Sequence, residues 1–181
     1  MIDSDTWRTQ QHKVLSRLAE AATRSGVRIV CAESCTGGWL AKLLTDLPGS
    51  STWFEGGVVT YSNRAKQELL GVDAGLLREH GAVSEPVARA MVRGLSRFSE
   101  AQLGVAITGI AGPDGGSEEK PLGSVWLAWG WSGKCVMTAG KVFDGDRDAV
   151  RRQAVLAALS GLCKTIDNSY KHRQPEWAPK T

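Results

Sequence analysis

Three apolar runs of strand type in this chain each break directly into a cluster of small and polar residues. The runs are residues 29–32, 56–61 and 103–108, and helical segments separate them along the chain. Strands that are separated by helices pair in parallel, so their carboxyl ends meet at one edge of a sheet. Ligands of such sheets bind beyond that edge. We therefore expect the three junctions to lie together, at residues 33–38, 61–66 and 108–116.

The rest of the chain supplies helices around these strands and one hairpin. Apolar residues at helical spacing predict helices over residues 3–25, 36–47, 63–70, 73–80, 84–99 and 149–166. Two further strand-type runs, 123–130 and 135–143, are joined by a short turn containing Gly133 and predict an antiparallel hairpin. The sequence therefore predicts an α/β fold with helices on both faces of a mixed, mostly parallel five-stranded sheet.

Length and composition restrict the classes of protein to which the chain can belong. The 181 residues suit one domain, which we assign to residues 1–168, followed by a carboxy-terminal tail at 169–181. A net charge of +3 spread along the chain does not favour nucleic acid as a partner. Residues 1–11 are too polar for a signal peptide, and no apolar run approaches the roughly 20 residues of a membrane helix. We expect no membrane association and a cytoplasmic location.

The placement of cysteine and histidine argues against several common kinds of site. The four cysteines are Cys31, Cys35, Cys135 and Cys163. They have neither metal-site spacing nor the density of a disulfide scaffold, so we predict free thiols. The histidines, His12, His80 and His172, lie far apart and outside the glycine-rich segments, which disfavours a Ser-His-acid triad. Catalysis in this chain is expected to work without histidine.

The first junction, residues 33–38, allows two interpretations. In one, Ser34 or Thr36 caps the following helix and the two glycines only let the chain turn. In the other, a hydroxyl or a thiol lies beside unpaired backbone N–H groups at a helix N-terminus, and these groups can hold a developing oxyanion. Ser34 is then the candidate nucleophile and Cys35 its rival. The junction by itself does not decide between them.

The second junction supplies a candidate base. A serine hydroxyl is a poor nucleophile until a base takes its proton, and a lysine held neutral by burial can serve where no histidine is available. Lys66 is the best-placed lysine, and Tyr61 is placed to relay the proton or to bond the leaving group. Lys42 and Lys120 are alternative bases. For Lys66 the other interpretation is an ordinary solvated lysine, and for Tyr61 a half-buried strand aromatic.

The third junction follows the last of the three runs. Four glycines among the eight residues 109–116 favour an anion-binding loop, although a flexible connection would have the same composition. The loop lacks the Gly-Lys-Ser or Gly-Lys-Thr ending of a P-loop, and it is not a dinucleotide-binding fingerprint.

Five segments together resemble the CinA carboxy-terminal domain family of nicotinamide-nucleotide amidohydrolases. They are Ala-Glu-Ser-Cys-Thr-Gly-Gly at 32–38, Gly-Val-Val-Thr-Tyr-Ser-Asn at 57–63 with Lys66, Gly-Ala-Val-Ser-Glu-Pro at 81–86, Thr-Gly-Ile-Ala-Gly-Pro-Asp-Gly-Gly at 108–116, and Gly-Asp-Arg at 145–147. The resemblance covers about residues 10–164. Longer relatives carry an additional amino-terminal domain with pyrophosphatase activity, which this chain lacks, so that activity is not expected here.

The resemblance implies a three-layer α/β/α sandwich that hydrolyses nicotinamide mononucleotide to nicotinate mononucleotide and ammonia in pyridine nucleotide salvage. It implies that the protein forms a homodimer. It also implies that the molecule bound by the protein is a small pyridine nucleotide. The catalytic residues of the family fall on Ser34, Tyr61 and Lys66. The substrate-binding residues that we expect are Cys35, Thr36 and Gly37 around the oxyanion, and Thr108, Gly109 and Arg147 around the phosphate.

Two expectations complete this hypothesis. No metal and no cofactor are expected, because an activated serine does not need a Lewis acid. The alternative function is a non-catalytic nucleotide-binding interaction module linked to competence or to the DNA-damage response. The presence of both Ser34 and Lys66 favours the enzyme.

Overall fold

The computed structural model describes residues 4–171 and confirms the predicted α/β fold. The strands are β1 Ile29–Glu33, β2 Phe54–Val59, β3 Leu103–Gly109, β4 Ser124–Trp131 and β5 Lys134–Val142. They form one sheet in the order β2-β1-β3-β4-β5. Strands β2, β1 and β3 are parallel, and β4 and β5 are antiparallel to their neighbours, as the hairpin requires.

Helices cover both faces of the sheet, which gives the three layers. The helices are α1 Ser4–Ser25, α2 Trp39–Leu44, α3 Asn63–Leu70, α4 Ala74–His80, α5 Glu85–Gly94 and α6 Arg147–Lys171. Helices α1, α2 and α6 form one hydrophobic layer with the sheet, and α3, α4 and α5 form the other. Alternate residues of β1 face opposite layers, since Ile29 and Cys31 pack in the first and Val30 and Ala32 in the second.

Helix α6 lies against β4 at a glycine. Trp129 Nε1 donates a hydrogen bond to the Ala158 carbonyl at 3.1 Å, so its indole is fixed beside the helix. A Cβ atom at Gly161 would lie only 2.1 Å from that ring. The close approach of helix and sheet at this point therefore requires glycine.

The helix boundaries differ from the prediction chiefly in three places, one of which is α5, predicted over 84–99 and found as Glu85–Gly94 followed by a 3₁₀ turn at Leu95–Arg97. The prediction started α2 at residue 36 and ended it at 47, whereas the helix occupies Trp39–Leu44. Helix α6 continues to Lys171, so residues 169–171 of the predicted tail extend this helix, and the rest of the tail lies outside the described residues. All four cysteines are free thiols, as predicted. Between residues 4 and 171, no helix is long and apolar enough to cross a membrane.

The register of the parallel strands brings the three junctions together. Glu33 at the end of β1 pairs with Val59 of β2 and with Ile107 of β3. The three strands therefore end at the same edge of the sheet. The chain segments that leave this edge are the ones that the sequence identified as candidate site segments.

Candidate active site

A cavity of about 270 Å³ lies at this edge of the sheet. Seven of its lining residues were predicted from the sequence as site residues: Ser34, Cys35, Tyr61, Lys66, Thr108, Gly109 and Arg147. All three junctions contribute to the wall, and the first turn of α6 adds Arg147. The volume is close to the lower end of the roughly 300–1,000 Å³ usual for small-molecule sites.

Ser34 and Lys66 form the chemical centre of this cavity. Lys66 Nζ donates a hydrogen bond to Ser34 Oγ at 2.9 Å, and its other partners are the carbonyls of Thr60 at 2.6 Å and Tyr61 at 3.5 Å. The lysine side chain is buried, with 1% of the residue exposed. Burial lowers the pKa of Lys66 from 10.5 to about 8, because the charged form loses its hydration. A hydroxyl beside such an amine can lose its proton near neutral pH.

The two alternative lysines are engaged elsewhere. Lys42 forms an ion pair with Asp46 at 2.7 Å, with most of its side chain exposed. Lys120 Nζ donates to the His80 carbonyl at 2.5 Å, at the outer side of the glycine-rich loop. Of the three candidate bases, Lys66 is the one in contact with a nucleophilic hydroxyl.

Cys35 lines the same cavity, but its thiol is held in the unreactive form. Burial raises its pKa from 9.0 to about 11, and the charge of Glu33 acts in the same direction. Only about one thiol in ten thousand is then ionised at pH 7, and the thiolate is the nucleophilic form. The surroundings of Cys35 favour Ser34 in the competition that the sequence left open.

The turn that carries Ser34 is held by a buried carboxylate. Glu33 accepts hydrogen bonds from the backbone N–H groups of Gly38, Leu40 and Ala41 at 2.8–3.1 Å. The interpretation in which Ser34 or Thr36 caps α2 is therefore wrong. The N-cap of this helix is Gly38, in the left-handed conformation with φ +93°, and it has no side-chain cap. An acidic residue ending a buried strand just before a helix was the available signal.

Two backbone N–H groups of the turn donate to no other described residue, and that of Cys35 acts on its own thiol. The N–H of Ser34 donates to the Ile107 carbonyl, and that of Gly37 donates to the Ser34 carbonyl, both at 3.0 Å. The N–H groups of Cys35 and Thr36 make no hydrogen bond to the rest of residues 4–171. Backbone N–H groups beside a reactive hydroxyl are the usual donors of an oxyanion hole.

Arg147 links two segments at the entrance of the cavity. It donates to the Gly112 carbonyl at 2.7 Å and to the Tyr61 hydroxyl at 3.4 Å. Tyr61 is 62% exposed, and its carbonyl rather than its hydroxyl is directed at Lys66 Nζ, at 3.5 Å. The tyrosine hydroxyl and the guanidinium therefore form one group at the rim, next to the glycine-rich loop.

Thr108 and Gly109 form the part of the wall next to Cys35. The Thr108 hydroxyl donates to the Ala82 carbonyl at 2.9 Å, which joins β3 to the segment before α5. A Cβ atom at Gly109 would lie 2.7 Å from Val125 and 3.1 Å from Cys35 Sγ. A larger residue at position 109 would therefore fill the cavity next to the thiol.

Some residues fall outside the predicted pattern. Thr36 and Gly37 belong to the turn, but they are not among the described residues that line the cavity. The wall also contains Ala82 and Val83, which the sequence did not indicate as ligand contacts, and four residues of the predicted anion-binding loop: Ile110, Ala111, Gly112 and Asp114. Asp114 had a signal, since it is the one acidic residue inside the glycine-rich loop. No group of three or more metal-ligating side chains occurs within residues 4–171.

The family of the chain follows from its sequence. Residues 11–166 match the model of the CinA C-terminal domain. This chain belongs to the CinA C-terminal domain family. The match includes every segment that forms the cavity.

Two curated relatives of this CinA domain are bacterial proteins of similar length. The nicotinamide-nucleotide amidohydrolase PncC of Pseudomonas putida is 54% identical over 147 residues, which cover 81% of this chain and 91% of the relative. The protein of the same name from Escherichia coli is 52% identical over 146 residues, covering 81% and 88%.

Solved structures of CinA proteins share the fold. A CinA-superfamily protein from Klebsiella pneumoniae is similar with a TM-score of 0.83 at 39% identity, over 87% of this chain and 98% of that one. A competence/damage-inducible protein from Agrobacterium tumefaciens gives the same TM-score and identity, over 87% and 96% of the two chains.

Proposed function

We propose that this CinA domain hydrolyses the carboxamide of a nicotinamide nucleotide to the carboxylate and ammonia, with Ser34 as the nucleophile and Lys66 as the base. The observation that carries the proposal is the 2.9 Å hydrogen bond between Lys66 Nζ and Ser34 Oγ inside a cavity. The relatives named as nicotinamide-nucleotide amidohydrolases support the substrate class. A serine activated by a buried lysine can cleave an amide C–N bond without histidine or a metal ion.

The reaction proceeds in two halves. The neutral amine of Lys66 takes the proton of Ser34 as Oγ attacks the carboxamide carbon, and the N–H groups of Cys35 and Thr36 stabilise the oxyanion. The proton passes to the amide nitrogen, the C–N bond breaks, and ammonia leaves an acyl ester on Ser34. Water then attacks this ester and gives a proton to Lys66, the acyl C–O bond breaks as Lys66 returns that proton to Ser34 Oγ, and the nicotinate product is released.

The rim of the cavity suits the rest of a nucleotide. Arg147 brings a guanidinium to the mouth, and guanidinium groups bind phosphate through paired hydrogen bonds. Asp114 lies on the same wall, and its carboxylate can accept hydrogen bonds from ribose hydroxyls. In this arrangement Tyr61 holds Arg147 at the rim, and a proton relay through its hydroxyl has no support from the contacts that it makes.

The test is ammonia release from nicotinamide mononucleotide, with product identification by mass. We expect Ser34→Ala and Lys66→Ala to lower kcat by about a thousandfold or more, since nucleophile and base act as a unit. Cys35→Ala is the matched control and should remain within about fivefold of wild type, because its thiol is not ionised. Loss of activity in Cys35→Ala with activity kept in Ser34→Ala would assign the attack to the thiol instead. Nucleotide binding without any turnover in the wild type would favour an interaction module.

A further inference from the structure

Arg151, near the start of α6, contacts the turn at residues 34–38, which we call the catalytic turn. Its Nη2 donates to the Thr36 carbonyl at 2.9 Å, across 115 positions of the chain. The guanidinium also lies over the ring of Trp39, with Cζ 5.1 Å from the ring centroid. The side chain is thus fixed between an aromatic face and a backbone carbonyl of the segment that carries Ser34.

The contact falls between two other points at which the turn is held. Glu33 holds the helix side of the turn, and Ile107 holds Ser34 at the strand side. Between these points the chain passes through Gly37, which has φ +61° and no Cβ to limit its freedom. The Thr36 carbonyl accepts hydrogen bonds from Arg151 at 2.9 Å and from the Trp39 N–H at 3.2 Å, and the Gly37 N–H of the same peptide donates to the Ser34 carbonyl. Arg151 thus contacts the carbonyl of Thr36, the same residue whose N–H group makes no hydrogen bond to another described residue.

We propose that Arg151 is a positioning residue for the amidase reaction: by holding the Thr36 carbonyl, it keeps the N–H groups of Cys35 and Thr36 directed at the developing oxyanion. The proposal rests on the proposed function for its catalytic consequence. Arg151 touches the turn and not the substrate cavity, since it is absent from the described residues that line the cavity. Its effect is therefore on kcat rather than on substrate affinity.

The charge of Arg151 acts on the same place. Burial is the largest influence on the pKa of Cys35 and raises it, whereas the positive charge of Arg151 lowers it. A group that stabilises negative charge at Cys35 also stabilises an oxyanion bound by the N–H of that residue. Position and charge of the guanidinium thus contribute in the same direction.

The neighbouring arginine is a matched control. Arg152 lies over the ring of Trp7, with Cζ 5.2 Å from the centroid, in the same kind of stacking as Arg151. Its hydrogen-bond partner is Asp148, at 2.7 Å, and it makes no bond to the catalytic turn. A comparison of the two arginines therefore separates the bond to Thr36 from stacking, charge and helix stability.

The first test measures kcat and KM for Arg151→Gln, Arg151→Lys and Arg152→Gln. We expect Arg151→Gln to lower kcat by about tenfold to a hundredfold with KM within about threefold, as for a weakened oxyanion hole. Arg151→Lys should recover most of the loss, because an ammonium can donate to the same carbonyl. Arg152→Gln should stay within about twofold of wild type. Equal losses in Arg151→Gln and Arg152→Gln, or a change confined to KM, would overturn the proposal.

The second test is independent of activity. Amide hydrogen exchange at Gly37 and Gly38 should become faster in Arg151→Gln and stay unchanged in Arg152→Gln, because only the first variant releases the turn. Unchanged exchange in Arg151→Gln would overturn the positioning role. Faster exchange in a protein whose wild type releases no ammonia would overturn the proposed function and leave the structural role standing. If Arg151→Gln does not fold, Trp39→Leu removes the stacking support and should show the same faster exchange.

Discussion

Lys66 is an ionisable residue that is almost fully buried. Burial of its charged form is unfavourable, because the ammonium loses its hydration. Its partners are the Ser34 hydroxyl and the carbonyls of Thr60 and Tyr61, and none of them carries a charge that would retain the proton. The amine is therefore available as a base at a pH where an exposed lysine is fully protonated. The proposed proton transfer therefore depends on the burial and the uncharged partners of Lys66.

The lowered pKa of Lys66 predicts the pH dependence of the reaction. The base must be neutral, and the fraction of neutral amine rises with pH up to about 8. We expect kcat/KM for nicotinamide mononucleotide to rise roughly tenfold per pH unit below that value and to level off above it. Initial rates of ammonia release between about pH 6.5 and pH 9.5 measure this profile. A flat profile across the range would exclude Lys66 as the titrating base.

At the level of the elements, the junction between β1 and α2 joins stability to function. Glu33 ends a buried strand, starts the turn and accepts three N–H groups of the following helix. These bonds satisfy donors that every helix leaves unpaired at its start. The same carboxylate therefore secures the helix and sets the position of Ser34, the next residue in the chain.

Replacement of Glu33 by glutamine tests this double role. An amide presents one oxygen and one NH₂ group to the three donors, so one backbone N–H faces another donor. We expect Glu33→Gln to lower the free energy of unfolding by about 2–4 kcal/mol, because hydrogen bonds to a buried charged group are strong. Glu55→Gln makes the same chemical change at a half-exposed ion pair with Arg28 and should cost less than about 1 kcal/mol. Urea unfolding of both variants gives the comparison, and similar losses would refute the role of Glu33.

The elements differ in how well the sequence predicts them. The order of strands and helices follows from apolar spacing, and the meeting of the three junctions follows from parallel pairing. The start of α2 was misplaced because Ser34 and Thr36 are good capping types, whereas the donors of this helix are taken by Glu33. The contact between Arg151 and Thr36 has no local signal, since only the packing of α6 beside the turn brings them together.

The whole molecule carries the energetic consequence of the buried ammonium. The pKa of Lys66 is lower in the fold than the ordinary 10.5, so the unfolded chain binds this proton more tightly. Each unit of pKa corresponds to about 1.4 kcal/mol, so the proton on Lys66 lowers stability by about 3 kcal/mol below pH 8. This loss of stability diminishes as the pH rises from about 8 towards 10.5. Above 10.5 Lys66 is unprotonated in both the folded and the unfolded chain.

We therefore expect Lys66→Met to be inactive and more stable than wild type at pH 7. Removal of the ammonium recovers about 3 kcal/mol, and loss of the bond to the Thr60 carbonyl subtracts about 1 kcal/mol. Thermal unfolding should show a higher Tm for the variant at pH 7 and a smaller difference at pH 10. A variant that is less stable than wild type at both values would show that Lys66 contributes to folding through its packing.

The position of Lys66 also bears on how such a chain would change under relaxed selection. A copy that retained the cavity for binding alone would gain stability from an apolar replacement of similar volume at position 66, so we expect drift to remove the lysine early. Ser34 would be under no comparable pressure, because a small hydroxyl residue is tolerated at the end of a strand. Among proteins of this fold, we therefore expect the lysine to be a better marker of turnover than the serine that it activates in the proposed reaction.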